Sequence, residues 1–282
     1  MSYEAWIGRE TRATDRLDEA LAARWLATFD LPRPEPAILP QGIHFVLCTP
    51  DAPSATLGED GHPSRDESQA SFFPPVPLPR RMWAASSIEF IAPLAMGAAI
   101  ERNSRIASIS EKDGASGKLA FVEVAHETRA NGTLSVREMQ TLVYREAVAP
   151  DAPLTPTEPG DASFDATGWE KVRSITPDPR LLFRFSALTF NTHRIHYDAP
   201  YARAVERYRG LVVHGPLMAS MLLQMLAQEV GENRVRRFDF RAVSPGIAGE
   251  TLHLALRKNA DGFDLGSFAS DGRQIMRASA AL

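Results

Sequence analysis

The sequence predicts an α+β chain made of two related units, each an antiparallel sheet packed on a helix. Three observations predict it. A strand with a Phe, then a Pro, then a Gly four residues on, occurs twice: Ser87 to Gly97 through Phe90 and Pro93, and Phe238 to Gly249 through Phe240 and Pro245. Dipeptides suited to tight hairpins follow in both parts, Asp113-Gly114 and Asn131-Gly132, then Asp261-Gly262 and Asp271-Gly272. Such pairs accept the positive φ of a hairpin turn. The third observation is a stretch over 215–230 with Leu217, Met218, Met221, Leu222, Leu223, Met225 and Leu226, apolar nearly all round, which reads as a buried helix.

Each further element has a local cause. Leu252, Leu254 and Leu256 alternate with more polar neighbours, as a half-buried strand does. Val122 and Val124 alternate less cleanly. Asp178-Pro179 is an N-cap and first-turn pair that opens a helix through Leu182, Phe185 and Leu188. Pro216 suits the first turn of the 215–230 helix, where a missing N–H costs nothing. The first part offers a less apolar helix, from Leu17 to Phe29.

The prolines divide the chain. Residues 51–81 are rich in Pro, Ser and Gly without apolar period and read as a long loop. A second cluster, Pro150, Pro153, Pro156 and Pro159, fits no element interior. It marks 149–165 as a linker between residues 1–148 and 166–282, stiffened toward polyproline geometry.

Composition removes several classes of function. With 31 basic and 35 acidic side chains the formal charge is −4, which argues against nucleic acid held by bulk attraction. One cysteine, Cys48, excludes an internal disulfide and a cysteine zinc cluster. No apolar run reaches the ~18 residues of a membrane span, and no signal peptide is evident, so a cytoplasmic setting is expected. Phosphate loop, nucleophile elbow and CxxC are all missing from the sequence.

Chemistry concentrates in 181–220. There Asn191, His193, His196 and Asp198 lie at or beyond one helix end, and His214-Gly215 begins the buried helix. A buried helix N-terminus presents free N–H groups and positive partial charge, which suits a developing oxyanion. A histidine can move a proton to or from water. An amide can orient water but cannot act as its base. Asn191, His196 and Gly215 could together add water across an activated double bond. Plainer readings stand beside this one: Asn191 as a helix C-cap, and His193 and His253 as structural groups. His193, His196, Asp198 and His214 match no standard ligand spacing, so no metal is expected.

The string FSALTFNTHRIH, ending at His196 and followed by His214-Gly215, resembles the signature of the MaoC-like, R-specific enoyl-CoA hydratases. The stretch FDFRAVSPGIAGETL is similar to that family's strand after the helix. GEDGHP and PPVPLPRRMW, within 58–83, resemble the two-unit branch called hydroxyacyl-thioester dehydratase type 2. The resemblance covers most of the chain from about residue 17. It implies a double hotdog, an antiparallel sheet wrapped around long central helices, with the chemistry in the second unit. It implies that His196 is the catalytic histidine, that Asn191 stands where most members carry the partner aspartate, and that Gly215 N–H forms the oxyanion hole. His196 then carries most of the acid–base work.

The branch includes hydratases of itaconyl-CoA and mesaconyl-C4-CoA (3-methylfumaryl-CoA), so a dicarboxylyl thioester is the expected substrate. Coenzyme A is then part of the substrate and no cofactor is expected. A free acyl carboxylate calls for an arginine, from Arg81, Arg184, Arg194 or Arg241. Arg203, Arg207 or Arg209 could meet the CoA phosphates. Arg81, Trp83, His214 and Arg241 are the expected substrate contacts. A dehydratase of fatty acyl chains and a non-catalytic thioester-binding module are the alternatives. Pairing of the two units within one chain is expected, and further homodimerisation is left open.

Overall fold

The computed structural model describes residues 3–114 and 117–282. Ten antiparallel strands form one sheet. The first half of the chain contributes β1 (Glu10–Arg16), β2 (Arg80–Phe90), β3 (Ala99–Gly114), β4 (Gly117–Ala130) and β5 (Thr133–Arg145). The second contributes β6 (Lys171–Ile175), β7 (Arg237–Ala242), β8 (Leu252–Asn259), β9 (Gly262–Ala269) and β10 (Gln274–Ala281). The order is β1-β3-β4-β5-β2-β7-β10-β9-β8-β6, so the halves mirror one another across β2 and β7. That seam is antiparallel, from Ala85 opposite Arg241 to Glu89 opposite Arg237.

The repeat extends to the helices. α1 (Glu19–Thr28) and α2 (Pro179–Leu188) begin at Asp18 and Asp178, whose carboxylates accept from Leu21 and Leu181 N–H at 2.7 Å and 2.9 Å. Trp25, Leu26 and Thr28 are buried where Phe185, Ser186 and Leu188 are buried, each pair 160 positions apart. The Leu17 to Phe29 segment therefore forms its helix, but as the counterpart and packing partner of α2, with Phe29 against Phe185.

Among the described residues a long central helix is present only in the second half, so the expected pair of central helices is reduced to one. Val213 N–H donates to Gly246 and Ala248 N–H to Leu211, leading into α4 (Gly215–Val230). In the first half Leu39 donates to Leu94 and Met96 to Ala37, but a single 3₁₀ turn follows, Ile43–Val46. α4 keeps ten consecutive residues buried, from Leu217 to Leu226, in a core drawn from both halves.

The loop 51–81 fills in for the missing helix. Phe72, Phe73, Val76 and Leu78 pack with Ile106, Ala120, Val122, Val124 and Tyr144. Its prolines lack donors, and Arg65 pins the segment by donating to the carbonyls of Val76, Leu78 and Pro79. The loop ends earlier than expected, since Arg80 and Arg81 already belong to β2.

Two hairpin expectations shift. Asp113 and Gly114 are still paired in β3, opposite Lys118 and Gly117, and residues 115–116 lie outside the described residues. Asn259 pairs with Gly262, which places the β8–β9 turn one residue before Asp261-Gly262. Asn131 and Gly132, at φ 49° and 81°, make the expected β4–β5 turn. Between β5 and β6 no helix or strand forms among the described residues. This stretch is no free spacer, because Thr155 bridges Tyr208 and Glu158 meets Arg209 at 2.9 Å.

Candidate active site

α2 ends where Phe190 turns left-handed at φ 48°, and Asn191 N–H returns to Ser186 C=O at 2.9 Å. The Asn191 side-chain oxygen accepts from His193 N–H at 2.9 Å. Asn191 thus does close the helix end, and its oxygen orders the next turn. Its amide NH₂ has no partner among the described residues.

That turn delivers His196 into the interior. Its Nδ1 lies 2.7 Å from Val212 C=O. A carbonyl can only accept, so Nδ1 carries the proton and Nε2 keeps its lone pair. His196 is only 7% exposed. Burial pulls its pKa down to about 4, further lowered by the charge of His62, against the Val212 bond. It is a neutral base at neutral pH.

His214 caps α4 and stacks on His196, ring centroids 3.6 Å apart. Its Nε2 meets Ser186 Oγ at 2.9 Å, while Nδ1 has no partner. Burial holds its pKa well below the ordinary value, with the charges of His196 and His193 adding to the effect. Beside it, Gly215 opens α4. Its N–H is unengaged among the described residues, and a Cβ built there would meet nothing within 4 Å. Base, free donor amide and free helix N–H are therefore gathered within two turns of chain and one helix start.

Two residues arrive from the first half. His62 packs against His193 with ring centroids 4.0 Å apart and planes tilted by 38°, and His193 meets His196 edge-on at 5.5 Å. Asp60 Oδ2 lies 2.9 Å from His62 Nδ1. Neither was among the expected site residues, although the GEDGHP string contains both. The available signal was Asp two residues before His, a spacing at which an Asp side chain caps the later N–H. It does so here at 3.0 Å. Asp60, His62 and His193 are also the described residues that could hold a metal ion, their donor atoms all within 4.8 Å of one another. Asp198, which the sequence grouped with the histidines, instead caps α3 (Ala199–Ala204) and pairs with Arg194.

The arginines separate. A cavity of about 690 Å³ is lined by Asp60, His62, Arg65, Arg80 and Arg81. Arg80 is paired with Glu206 at 2.6 Å, but Arg81 lies over the Phe73 ring without a carboxylate partner among the described residues. Arg241 is not brought to the site: it alternates with buried Phe240 and is exposed on the other face of β7. Trp83 packs against Phe45 and Phe240, and its N–H donates to Ser86. Arg184 is exposed and donates to Ala27 C=O. Arg203 and Arg207 bond backbone carbonyls, and Arg209 is buried between Glu158 and Glu250. His253 bonds Ser174 and stacks on Phe164, a structural role.

A sheet seamed at β2–β7, one buried helix starting at His214-Gly215, and a histidine with one committed nitrogen define a double-hotdog protein equipped for acid–base chemistry. Solved structures with this fold include a MaoC-like dehydratase, TM-score 0.74 at 14% identity, covering 99% of this chain and 98% of that one. HtdX of Mycobacterium tuberculosis matches with TM-score 0.68 at 18% identity over 97% and 99%. Residues 42–248 match the family hydroxyacyl-thioester dehydratase type 2, and the chain belongs to it. It is a hydro-lyase of acyl thioesters. Among its relatives, mesaconyl-C4-CoA hydratase of Chloroflexus aurantiacus is 41% identical over 99% of this chain and 98% of that one. The mitochondrial hydroxyacyl-thioester dehydratase type 2 of Schizosaccharomyces pombe is 26% identical over 79% of each.

Proposed function

We propose that the enzyme adds water reversibly to mesaconyl-C4-CoA or a close dicarboxylyl-CoA. The near-full-length similarity to the Chloroflexus hydratase carries this reading. Arg81, unpaired by carboxylate beside the 690 Å³ cavity, supports it as the partner of the free acyl carboxylate.

In this reading Gly215 N–H and the N-terminus of α4 polarise the thioester carbonyl and hold the enolate oxygen. The Asn191 amide holds the water, and His196 Nε2 takes its proton as the oxygen bonds to the β-carbon. His214 braces the imidazole by stacking. A proton then reaches the α-carbon. No cofactor is needed, because the thioester itself activates the double bond. Residues 1–148 and 166–282 act as two halves joined by 149–165, the first closing the substrate site. No described helix is long and apolar enough to cross a membrane. The cytoplasm, where the single cysteine stays reduced, is the assigned setting.

Hydration of mesaconyl-C4-CoA, itaconyl-CoA and crotonyl-CoA, followed as loss of enoyl-thioester absorbance, tests this. Highest kcat/KM on mesaconyl-C4-CoA is expected. Preference for crotonyl-CoA or longer chains would move the enzyme to fatty acyl substrates, and no turnover of any would leave only a binding role. An arginine function predicts that Arg81→Leu raises KM for the dicarboxylyl substrate and leaves crotonyl-CoA unaffected. Light scattering settles the homodimer; the β2–β7 seam already supplies one pairing within the chain.

A further inference from the structure

We propose that Asp60, His62 and His193 bind a divalent ion of the zinc class, which clasps the long loop of the first half to the turn that carries His196. The inference stands apart from the hydration reading, since it needs no step of that reaction.

Two segments far apart in sequence supply the ligands. Asp60 and His62 come from the 51–81 loop, and His193 from the turn after α2, 131 residues beyond His62. Their donor atoms all lie within 4.8 Å of one another. Donors about 2.1 Å from a tetrahedral ion stand about 3.3 Å apart. Asp60 Oδ2 and His62 Nδ1, at 2.9 Å, are already near that spacing, and the His193 ring centroid is 4.0 Å from that of His62. The gap left to close is at most about 1.5 Å, within the sweep of a side-chain torsion.

The donor set is of the right kind and is available. Zinc accepts two imidazoles and a carboxylate, with a fourth position left for water. Neither ring nitrogen of His193, nor Nε2 of His62, has a hydrogen-bond partner among the described residues. Asp60 Oδ1 accepts from His62 N–H at 3.0 Å, which orients the carboxylate and leaves Oδ2 to the ion. An ion there would replace the proton between Oδ2 and Nδ1. Asp60 and His62 also line the 690 Å³ cavity, so the ion has a way in and its fourth position a way out.

The frame around the ligands is fixed before any ion arrives. Three consecutive carbonyls, of Glu59, Asp60 and Gly61, accept from Arg194 Nη1 at 3.0 Å, Arg194 N–H at 2.9 Å and Thr192 Oγ1 at 2.5 Å. Gly61 has φ +87°, and a Cβ there would stand 1.9 Å from the Thr192 carbonyl oxygen. Only glycine lets the two segments close. Ligands held this way have little ordering left to do when the ion binds. The loop also has use for a tie: between Val46 and Arg80 its one helical piece is the 3₁₀ turn Ser54–Thr56.

The test is zinc binding to the full-length protein, freed of metal by chelator and dialysis, and followed by calorimetry and melting temperature. One zinc per chain is expected, with a rise in melting temperature. Asp60→Asn, His62→Gln and His193→Gln should each weaken binding by at least about 10–100-fold, the loss seen when even a ligand's supporting partner is removed. His253→Gln, on β8, should bind as wild type does. Cobalt(II) in place of zinc should show the strong visible absorption of a tetrahedral ion. Bound zinc should slow tryptic cleavage within 51–81 in wild type and not in His193→Gln. Absence of saturable binding by folded wild type overturns the site. So does an affinity that all three ligand variants keep, or one that His196→Gln removes while they keep it, which would put the ion in the catalytic centre. If one variant fails to fold, judged by its melting curve without metal, the other two decide. Zinc that binds through these residues yet leaves cleavage unchanged overturns the clasp.

Discussion

A buried histidine can act as a base only when one nitrogen is committed and the other is left free. Val212 C=O commits Nδ1 of His196, and stacking on His214 holds the ring plane. His196→Ala is expected to lower turnover by about 10²–10⁴-fold, and near-normal rates would sink the assignment. Because burial brings its pKa down to about 4, the acid limb of kcat/KM from His196 should lie near pH 4, not 6.5. A limb near 6.5 that His196→Asn removes would show the site wetter than this. At this scale Asn191, His196 and Gly215 were legible, because they sit within one short stretch. His62 was not, because 131 residues separate it from His193 and only folding brings the rings to 4.0 Å. Arg241 misled for a related reason: alternation along β7 decides which face a side chain takes, and Phe240 claims the core.

Among the elements, α4 and the two capped helices follow closely from local sequence. An apolar run with Pro in its first turn can only be a buried helix, and its bounds of Gly215–Val230 match the expected ones. Leu222 is fully buried at its centre, so Leu222→Ala should cost about 2–5 kcal/mol in urea unfolding. Asp178→Ala removes the cap on α2 and should cost about 1 kcal/mol, with Asp18→Ala costing a similar amount. A cost near zero for both would mean that the helix pair is held by packing alone. The collapse of the first-half helix to Ile43–Val46 was not legible. What replaces it is a proline-rich loop whose apolar residues have no period, so no pattern announces that it packs on a sheet.

For the whole molecule, the unusual quantity is desolvated histidine: His44, His196 and His214 are buried, and His126 and His193 are half-buried. His44, His126, His193, His196 and His214 all have pKa values lowered chiefly by burial, His44 to about 3 and His126 to about 4. The unfolded chain takes up protons near 6.5 that the folded chain refuses. Stability is therefore full above about pH 6.5 and falls as pH drops toward 4. Each such group contributes at most about 1.4 kcal/mol per pH unit over that range, and the three in contact, His193, His196 and His214, are coupled and do not add independently. Melting temperature is expected to fall steeply between pH 6.5 and 4.5, and a flat curve there would contradict these burials.

Residue order alone specified the α+β class, the repeat, the capped helices, the buried helix and the stretch that holds the second half's candidate site residues. These are short-range properties, set by period, capping and turn chemistry within one or two turns of chain. Folding decided which half keeps its helix, which arginine faces the cavity, and that Asp60 and His62 join the histidines of the second half. Those depend on a sheet seam and a glycine contact between residues far apart in sequence, where local preference carries no information about which surfaces meet.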